Sequence, residues 1–232
     1  MPTFKATKRP SKKVKVTKSK RPAPKKKAKA SANDYILIDR SHSMSNKWTE
    51  TLGAVNAYVA KIKEDGADGT ITVATFDKNQ DVDFDIVRDS VKVKDWKDIT
   101  NKDAMPRGWT PLFDAIGKVV ALAEKAKAKK TVLVVVTDGE ENASKEMTKE
   151  SAKAALERFK SNGWQVIFLG ADFDAFGQAA GVGIGRGQTI MASAVNYGDV
   201  LKGVATSRTM YASGAMSAMS FDDDDRAKAV KP

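Results

Sequence analysis

The 232-residue chain has no cysteine and a single histidine, His42. Disulfides and thiolate metal sites are therefore excluded. A zinc site with several histidines is excluded too, and a Ser-His-Asp triad would have to use His42. The lack of cysteine favours a reducing, cytoplasmic setting. The sequence also has no apolar run long enough for a transmembrane segment, and its charged start is not followed by the apolar core of a secretory signal.

Acidic residues are missing from the first 33 positions, which hold thirteen of the 40 Lys and Arg residues. The other 27 nearly balance the 29 acids, so the net charge of +11 comes from this segment. Because it also has almost no large apolar side chains, we expect a disordered basic tail over residues 1–33.

The basic tail is a candidate polyanion-binding segment. Its charge predicts nonspecific contact with nucleic acid or another polyanion through residues 1–30, and the clustered candidates are Lys12, Lys13, Lys25, Lys26 and Lys27. Phe4 is its one aromatic residue, so base stacking is not indicated. A localising or solubilising role, or removal by processing, is the alternative.

Buried strands and amphipathic helices alternate after the tail. Continuous apolar runs at 35–38, 131–136 and 166–169 are typical of strands buried on both faces. Apolar residues spaced three and four apart predict amphipathic helices at 48–62, 111–123 and 147–159. After the last of these strands, we expect a short helix at 174–180, a strand at 189–192 and a helix at 197–219. The pattern predicts a doubly wound α/β fold with a mostly parallel sheet over residues 34–220, followed by a polar, acidic C-terminal tail over 221–232.

One antiparallel edge strand is predicted within this sheet. Residues 71–76 and 81–87 both have strand character and are close enough in sequence to form a hairpin. In residues 81–87, Val82, Phe84 and Ile86 alternate with aspartates, as expected for a strand with one solvent-exposed face. A row of acids suits an exposed edge, because like charges discourage pairing with another chain.

Oxygen-bearing side chains follow the first two buried strands. Asp39 comes directly after one and Asp138 directly after the other, so both lie at the carboxyl ends of parallel strands, where ligands bind in open α/β folds. Ser41 and Ser43 follow Asp39, and Thr110 stands at the start of a helix. Five hard oxygen donors at one rim predict a site for Mg²⁺, with Mn²⁺ or Ca²⁺ as alternatives.

Each of these residues also has a purely structural interpretation. Asp39 and Ser41 are suited to a turn or a helix cap, and Ser45 or Asn46 to the cap of the first helix. Thr110 before a proline is a good N-cap, and Asp138 before a glycine is a common turn. Their joint occurrence, each at its own strand end or helix start, favours the metal site.

These motifs resemble the metal-ion-dependent adhesion site of the von Willebrand factor A family. The resemblance rests on Asp39-Arg40-Ser41-His42-Ser43, on Thr110 and on Thr137-Asp138-Gly139, and it covers roughly residues 34–220. The segments around Thr110 and Asp138 look closest to compact bacterial and phage members. The resemblance implies that Ser41, Ser43 and Thr110 offer hydroxyls to the metal, while Asp39 and Asp138 bind it directly or through water.

Such a site has few direct carboxylates, so the cation keeps a water-held position that a partner's Asp or Glu side chain completes. We therefore expect a noncatalytic, cation-dependent protein-binding module for adhesion or scaffolding. Some bacterial members are adaptors of AAA-type ATPases, which is a related alternative. A function carried by the nucleic-acid-binding tail is another. A Mg²⁺-dependent phosphatase of the haloacid dehalogenase type is the third, although Ser41 stands where that family generally has a second Asp.

Two further motifs have structural rather than functional interpretations. Glu140 and Glu141 lie close to Asp138 but have no second catalytic component, so we interpret them as acids in a loop that approaches a helix. The glycine-rich stretch at 181–187 follows a helix rather than a strand and lacks dinucleotide-loop spacing, so we interpret it as a helix stop and a loop.

Overall fold

The structure, a computed structural model, describes Thr3, residues 30–171 and residues 174–229. Nearly all of the predicted basic tail lies outside these ranges. The polyanion-binding role of Lys12, Lys13, Lys25, Lys26 and Lys27 therefore stays a prediction.

Within the described residues, six strands form one sheet in the order β3-β2-β1-β4-β5-β6. Their bounds are β1 (Ser31–Asp39), β2 (Asp68–Lys78), β3 (Val82–Lys92), β4 (Thr131–Thr137), β5 (Gln165–Gly170) and β6 (Thr189–Met191). The pairing is parallel throughout except for β3, which runs antiparallel to β2 at the edge of the sheet. The predicted α/β class and its antiparallel edge strand are both confirmed.

Helices cover both faces of the sheet. They are α1 (Trp48–Glu64), α2 (Leu112–Ala126), α3 (Lys149–Ser161), α4 (Ala175–Gly181), α5 (Tyr197–Ser213) and α6 (Asp223–Ala229). Alternate residues of each strand point to opposite faces. Thus Ile36 and Ile38 join the core under α1 and α5, whereas Tyr35 and Leu37 join the core under α2, α3 and α4.

The order of the strands places a crevice between β1 and β4. The chain moves outward from β1 to β2 and β3, and then crosses over to β4 on the other side of β1. Ile38 pairs in register with Val136, so the carboxyl ends of the two strands lie side by side. Ligands of open α/β sheets bind at such a reversal of strand order.

Several bounds differ from the sequence-based expectation, and the described part of the chain ends in a helix that was not predicted. The helix predicted to reach Met219 ends at Ser213, because Gly214 adopts a left-handed φ of 81° that closes the helix. Neither Ser45 nor Asn46 caps α1, since a 3₁₀ turn, His42–Lys47, precedes the helix. The acidic C-terminal run is exposed as expected, but it belongs to α6, a helix with the buried residue Ala229 at its end.

Candidate metal centre

The five predicted ligands come together at the carboxyl ends of β1 and β4. Asp39 ends β1, Asp138 follows β4, and Thr110 lies two residues before α2. Asp39, Ser41, Thr110 and Asp138 are buried, whereas Ser43 is exposed. Three hydroxyls and two carboxylates therefore face one another at a rim that is open to solvent on the side of Ser43.

A chain of hydrogen bonds links the two carboxylates. The Ser41 backbone N–H donates to Asp39 Oδ1 at 2.7 Å, and the Ser41 and Ser43 hydroxyls lie 3.0 Å apart. Ser43 Oγ then donates to Asp138 Oδ1 at 2.6 Å. The loop after β1 thus holds its two hydroxyls between carboxylates that are far apart in the sequence.

Thr110 is held in place by Asn142. The Thr110 N–H donates to Asn142 Oδ1 at 2.9 Å, and the Asn142 N–H donates to the Thr110 carbonyl at 3.1 Å. Before it in the chain, Gly108 has a φ of 71°, and a Cβ there would lie 2.3 Å from the Lys78 carbonyl oxygen. Only glycine fits this approach. Nothing in the local sequence spacing indicated that Asn142 and Gly108 position Thr110.

Gly139 borders the space that the ligand atoms surround. A Cβ on this residue would lie 3.2 Å from Thr110 Oγ1, 3.5 Å from Ser43 Oγ and 3.9 Å from Asp39 Oδ2. A glycine here leaves room between three of the five predicted ligands. The atoms that a side chain at Gly139 would approach are all oxygens, the donors that hard cations prefer. The residues therefore fit a hard cation.

Asp39 lies in an environment that resists negative charge. Burial raises its pKa to about 6, and the nearby Asp138 carboxylate adds to the rise. Hydrogen bonds from the Thr137 hydroxyl, at 2.6 Å to Oδ2, and from Ser41 act in the opposite direction. A buried carboxylate beside a second one gains from a nearby cation. Thr137 is a positioning residue that the sequence motif included without assigning it a role.

Two basic residues near the site behave differently. Arg40 turns away from the ligands toward the β2–β3 hairpin, where its Nε lies 2.6 Å from Asp77 Oδ1 and its Nη2 lies 2.7 Å from Asp85 Oδ2. Lys47 instead turns toward them, and its Nζ lies 2.8 Å from Asp138 Oδ2. Sequence reasoning did not single out Lys47, because nothing in its spacing marks it as a neighbour of Asp138.

Glu141, one of the two further acids near the motif, has structural contacts, whereas Glu140 is exposed. Glu141 accepts hydrogen bonds from the backbone N–H groups of Phe113, Ala143 and Ser144 and from the Ser144 hydroxyl. Its carboxylate therefore stabilises the start of α2 and the loop after β4. Within the described residues, no group of three or more His, Cys, Asp or Glu side chains is arranged to hold a metal.

A cleft of about 440 Å³ opens at the centre and is lined by Ser41, His42, Ser43, Gly108, Trp109, Thr110 and Asn142. Trp109, next to a predicted ligand, is 65% exposed, and Met105 on the same loop is 66% exposed. Large apolar side chains that are left in solvent beside a polar site are typical of a binding surface.

The family model of the von Willebrand factor type A domain matches residues 35–198, more than half of the chain. The chain belongs to this family. The match spans both motif strands of the von Willebrand factor A domain described here, together with α2 and the loop that carries Thr110. The resemblance inferred from the sequence is confirmed.

Solved structures show the same fold at low sequence identity. The von Willebrand factor type A protein from Catenulispora acidiphila is 13% identical, with a TM-score of 0.53, over 77% of this chain and 42% of that one. The pilus adhesin SpaC from Lactobacillus rhamnosus GG is 12% identical, with a TM-score of 0.62, over 79% of this chain and 31% of that one. Manganese-loaded TRAP protein from Plasmodium vivax is 15% identical, with a TM-score of 0.53, over 72% of each chain.

The von Willebrand factor A domain thus spans less than half the length of the first two proteins. No curated protein matches the sequence. None of the helices in the described part of the chain has the length and apolar character needed to cross a bilayer.

Proposed function

We propose that this von Willebrand factor A domain is a noncatalytic, divalent-cation-dependent module that binds an Asp or Glu side chain of a partner protein. The observation that carries the proposal is the convergence of five oxygen-bearing side chains, of which Ser41, Ser43 and Thr110 line an open cleft and Asp39 and Asp138 lie beside them. Ser41, Ser43 and Thr110 would hold the cation through hydroxyls, and Asp39 and Asp138 directly or through water. When bound, the cation supplies the positive charge that receives the partner's carboxylate.

The donor set supports Mg²⁺ as the cation, with Mn²⁺ or Ca²⁺ as substitutes. All five side chains offer oxygen, which hard cations prefer. Manganese-loaded TRAP protein, which shares this fold, is a relative that was studied with a divalent metal.

The hydrogen bonds of the nearby carboxylates support a binding role rather than a catalytic one. A metal-dependent hydrolase needs a positioned base close to an activated water. Glu141 is instead engaged by three backbone N–H groups and the Ser144 hydroxyl. Asp39 and Asp138 are bound into the hydrogen-bond chain of the centre through Ser41 and Ser43.

The surface around the centre favours a partner that presents an apolar side chain next to its acid. Trp109, which lines the cleft and is largely exposed, supplies apolar area there. Aromatic residues at the middle of an interface often dominate binding energy. The pilus adhesin SpaC, which has the same fold, is consistent with adhesion or scaffolding as the broader role.

The test is selection of binders from a displayed random peptide library in Mg²⁺, followed by affinity measurement. We expect selected peptides to be enriched in Asp or Glu, and their capture to be lost in EDTA. Asp39→Ala and Thr110→Ala should abolish capture while retaining a cooperative thermal melt. Glu140→Ala, an exposed acid close to Asp138 in the sequence, is the matched control and should bind normally.

Equal capture in EDTA, or selected peptides without acids, would contradict the proposal. The phosphatase alternative makes the opposite prediction: purified protein would hydrolyse a generic phosphate ester with Mg²⁺ and lose that activity in Asp39→Ala. If an AAA-type ATPase copurifies with the wild type and is lost when the five predicted ligands are replaced, the module is an adaptor of that ATPase.

We further propose that the basic segment before β1 is an electrostatic anchor. Thirteen Lys and Arg without an acid over residues 1–30 would contact polyphosphate through counterion release. Deletion of residues 1–30 should remove DNA binding that weakens steeply with salt, while peptide capture is unchanged. DNA binding that survives the deletion would contradict the anchor.

A further inference from the structure

Lys47 places a positive charge inside the metal centre. Its Nζ lies 2.8 Å from Asp138 Oδ2, and the two side chains are only 18% and 1% exposed. A surface pair such as Lys94 and Asp95 is 68% and 56% exposed. Solvent therefore screens the Lys47–Asp138 pair poorly, and the positive charge of the Lys47 ammonium group acts strongly on the predicted ligands around it.

Both carboxylate oxygens of Asp138 are engaged in this arrangement. Ser43 Oγ donates to Oδ1 at 2.6 Å, and Lys47 Nζ binds Oδ2. A divalent cation that uses Asp138, directly or through a water, competes with at least one of these contacts.

The backbone of Lys47 is fixed by the surrounding fold. It ends the 3₁₀ turn that begins at His42, and its carbonyl accepts a hydrogen bond from the buried Thr51 hydroxyl at 2.8 Å. The buried residues Met44 and Trp48 anchor the turn on either side. The turn that carries Ser43 therefore also delivers the ammonium group, so lysine and ligand reach Asp138 from the same segment.

From these contacts we propose that Lys47 is an internal counter-ion that competes with the divalent cation for Asp138. It keeps the ligand cluster arranged when little metal is bound and raises the metal concentration at which the centre fills. This inference rests on the proposed cation site and concerns its regulation. A lysine that only anchors the loop would stabilise the protein without opposing the metal.

The test is Mn²⁺ titration of the full chain, with free Mn²⁺ followed by electron paramagnetic resonance. Lys47→Met removes the charge and should tighten Mn²⁺ binding about tenfold, because a cation no longer competes nearby. Lys47→Gln, which keeps a polar group without charge, should tighten it similarly. Lys61→Met is the matched control: Lys61 lies on α1, pairs with Asp65 at 2.8 Å and is 25% exposed, and its replacement should leave the Mn²⁺ affinity unchanged.

A second measurement separates competition from misfolding. In EDTA, Lys47→Met should melt at a lower temperature than the wild type, and saturating Mn²⁺ should restore the loss. Unchanged or weaker Mn²⁺ binding in a cooperatively folded Lys47→Met protein overturns the inference and leaves the cation-dependent function intact. Binding by Lys47→Met but not by wild type supports the inference and overturns that function. No Mn²⁺ binding by either protein overturns both.

Discussion

The Thr137 hydroxyl donates a 2.6 Å hydrogen bond to Asp39 Oδ2 and thereby joins the ends of β4 and β1. The two residues are 98 positions apart in the sequence. The same hydroxyl lies within hydrogen-bond distance of both the N–H and the carbonyl of Gly139. One threonine thus positions a candidate ligand and the turn that borders the cation space.

Replacing Thr137 with valine should weaken metal binding. The hydrogen bond lowers the pKa of Asp39, so its loss raises that pKa further and favours the protonated form that does not bind metal. We expect Mn²⁺ affinity at pH 7 to fall about tenfold or more, since hydrogen bonds to charged groups contribute about 1.5–3 kcal/mol. Thr131→Val, at a buried hydroxyl of the same strand without a hydrogen-bond partner, is the control and should bind normally.

Metal binding should also depend on pH through Asp39. With a pKa of about 6, a proton competes with the cation below that pH. Mn²⁺ affinity should therefore be about tenfold lower at pH 5 than at pH 7, as measured by calorimetry. Equal affinity at the two pH values would show that Asp39 does not control binding.

The metal-free protein should show the opposite trend in its own stability. The folded pKa of Asp39 is about 6 and lies above the ordinary value of 3.8, so the folded state holds this proton more tightly than the unfolded chain. The contribution of Asp39 to the free energy of unfolding is fully present below about pH 4 and is lost as the pH rises through 6. Urea unfolding in EDTA should reveal this trend as a difference between wild type and Asp39→Asn across that range.

Gly139→Ala should block the cation without unfolding the domain. The added Cβ would crowd Thr110 Oγ1 at 3.2 Å and fill space between the ligands, whereas the backbone φ of Gly139 is not in the left-handed region. We expect an unchanged fold by circular dichroism and a loss of measurable Mn²⁺ binding. Gly53→Ala, on α1 with nothing within 4 Å of its added Cβ, should bind metal like the wild type.

A buried ion pair at the other end of β1 should control stability alone. Arg208 and Asp34 are both fully buried, 2.8 Å apart, and Arg208 also donates to the carbonyls of Ala32 and Asp68. Asp34→Ala leaves the guanidinium uncompensated and should cost about 3–5 kcal/mol in urea unfolding. Asp34 lies about 16 Å along the strand from Asp39, so Mn²⁺ affinity of the folded protein should not change.

Two further variants test this account of the pair. Asp65→Ala removes a partially exposed ion pair with Lys61, which solvent screens, and should destabilise the protein much less than Asp34→Ala does. The double variant Asp34→Leu with Arg208→Met should be more stable than Asp34→Ala, because no unpaired charge remains. A larger loss in the double variant would contradict the explanation.

Trp109→Ala should separate partner binding from metal binding. The indole is 65% exposed beside the cleft and is not among the predicted ligands. Affinity for a selected acidic peptide should fall about tenfold or more, while Mn²⁺ affinity stays at the wild-type value. Met210→Ala removes an exposed apolar side chain two residues from Arg208, away from the centre, and should leave both affinities unchanged.

Much of the fold was predictable because it depends on local patterns. Apolar runs identified β1, β4 and β5, and the alternation of aspartates with apolar residues identified β3 as an edge strand. Helix ends were predicted less well. The end of α5 depends on the left-handed Gly214, and the start of α1 depends on a 3₁₀ turn that no spacing rule indicated.

The sequence by itself determined the α/β alternation and the residue types at the strand ends, since periodicity and strand order are enough to bring Asp39 and Asp138 to one edge. Only the tertiary structure decided which neighbours act on them. Lys47 reaches Asp138 across 91 positions, and Arg208 reaches Asp34 across 174. Such contacts depend on the register of the sheet and the paths of its loops, which no local pattern encodes. The five-oxygen centre is therefore visible in the sequence, whereas the lysine within it is not.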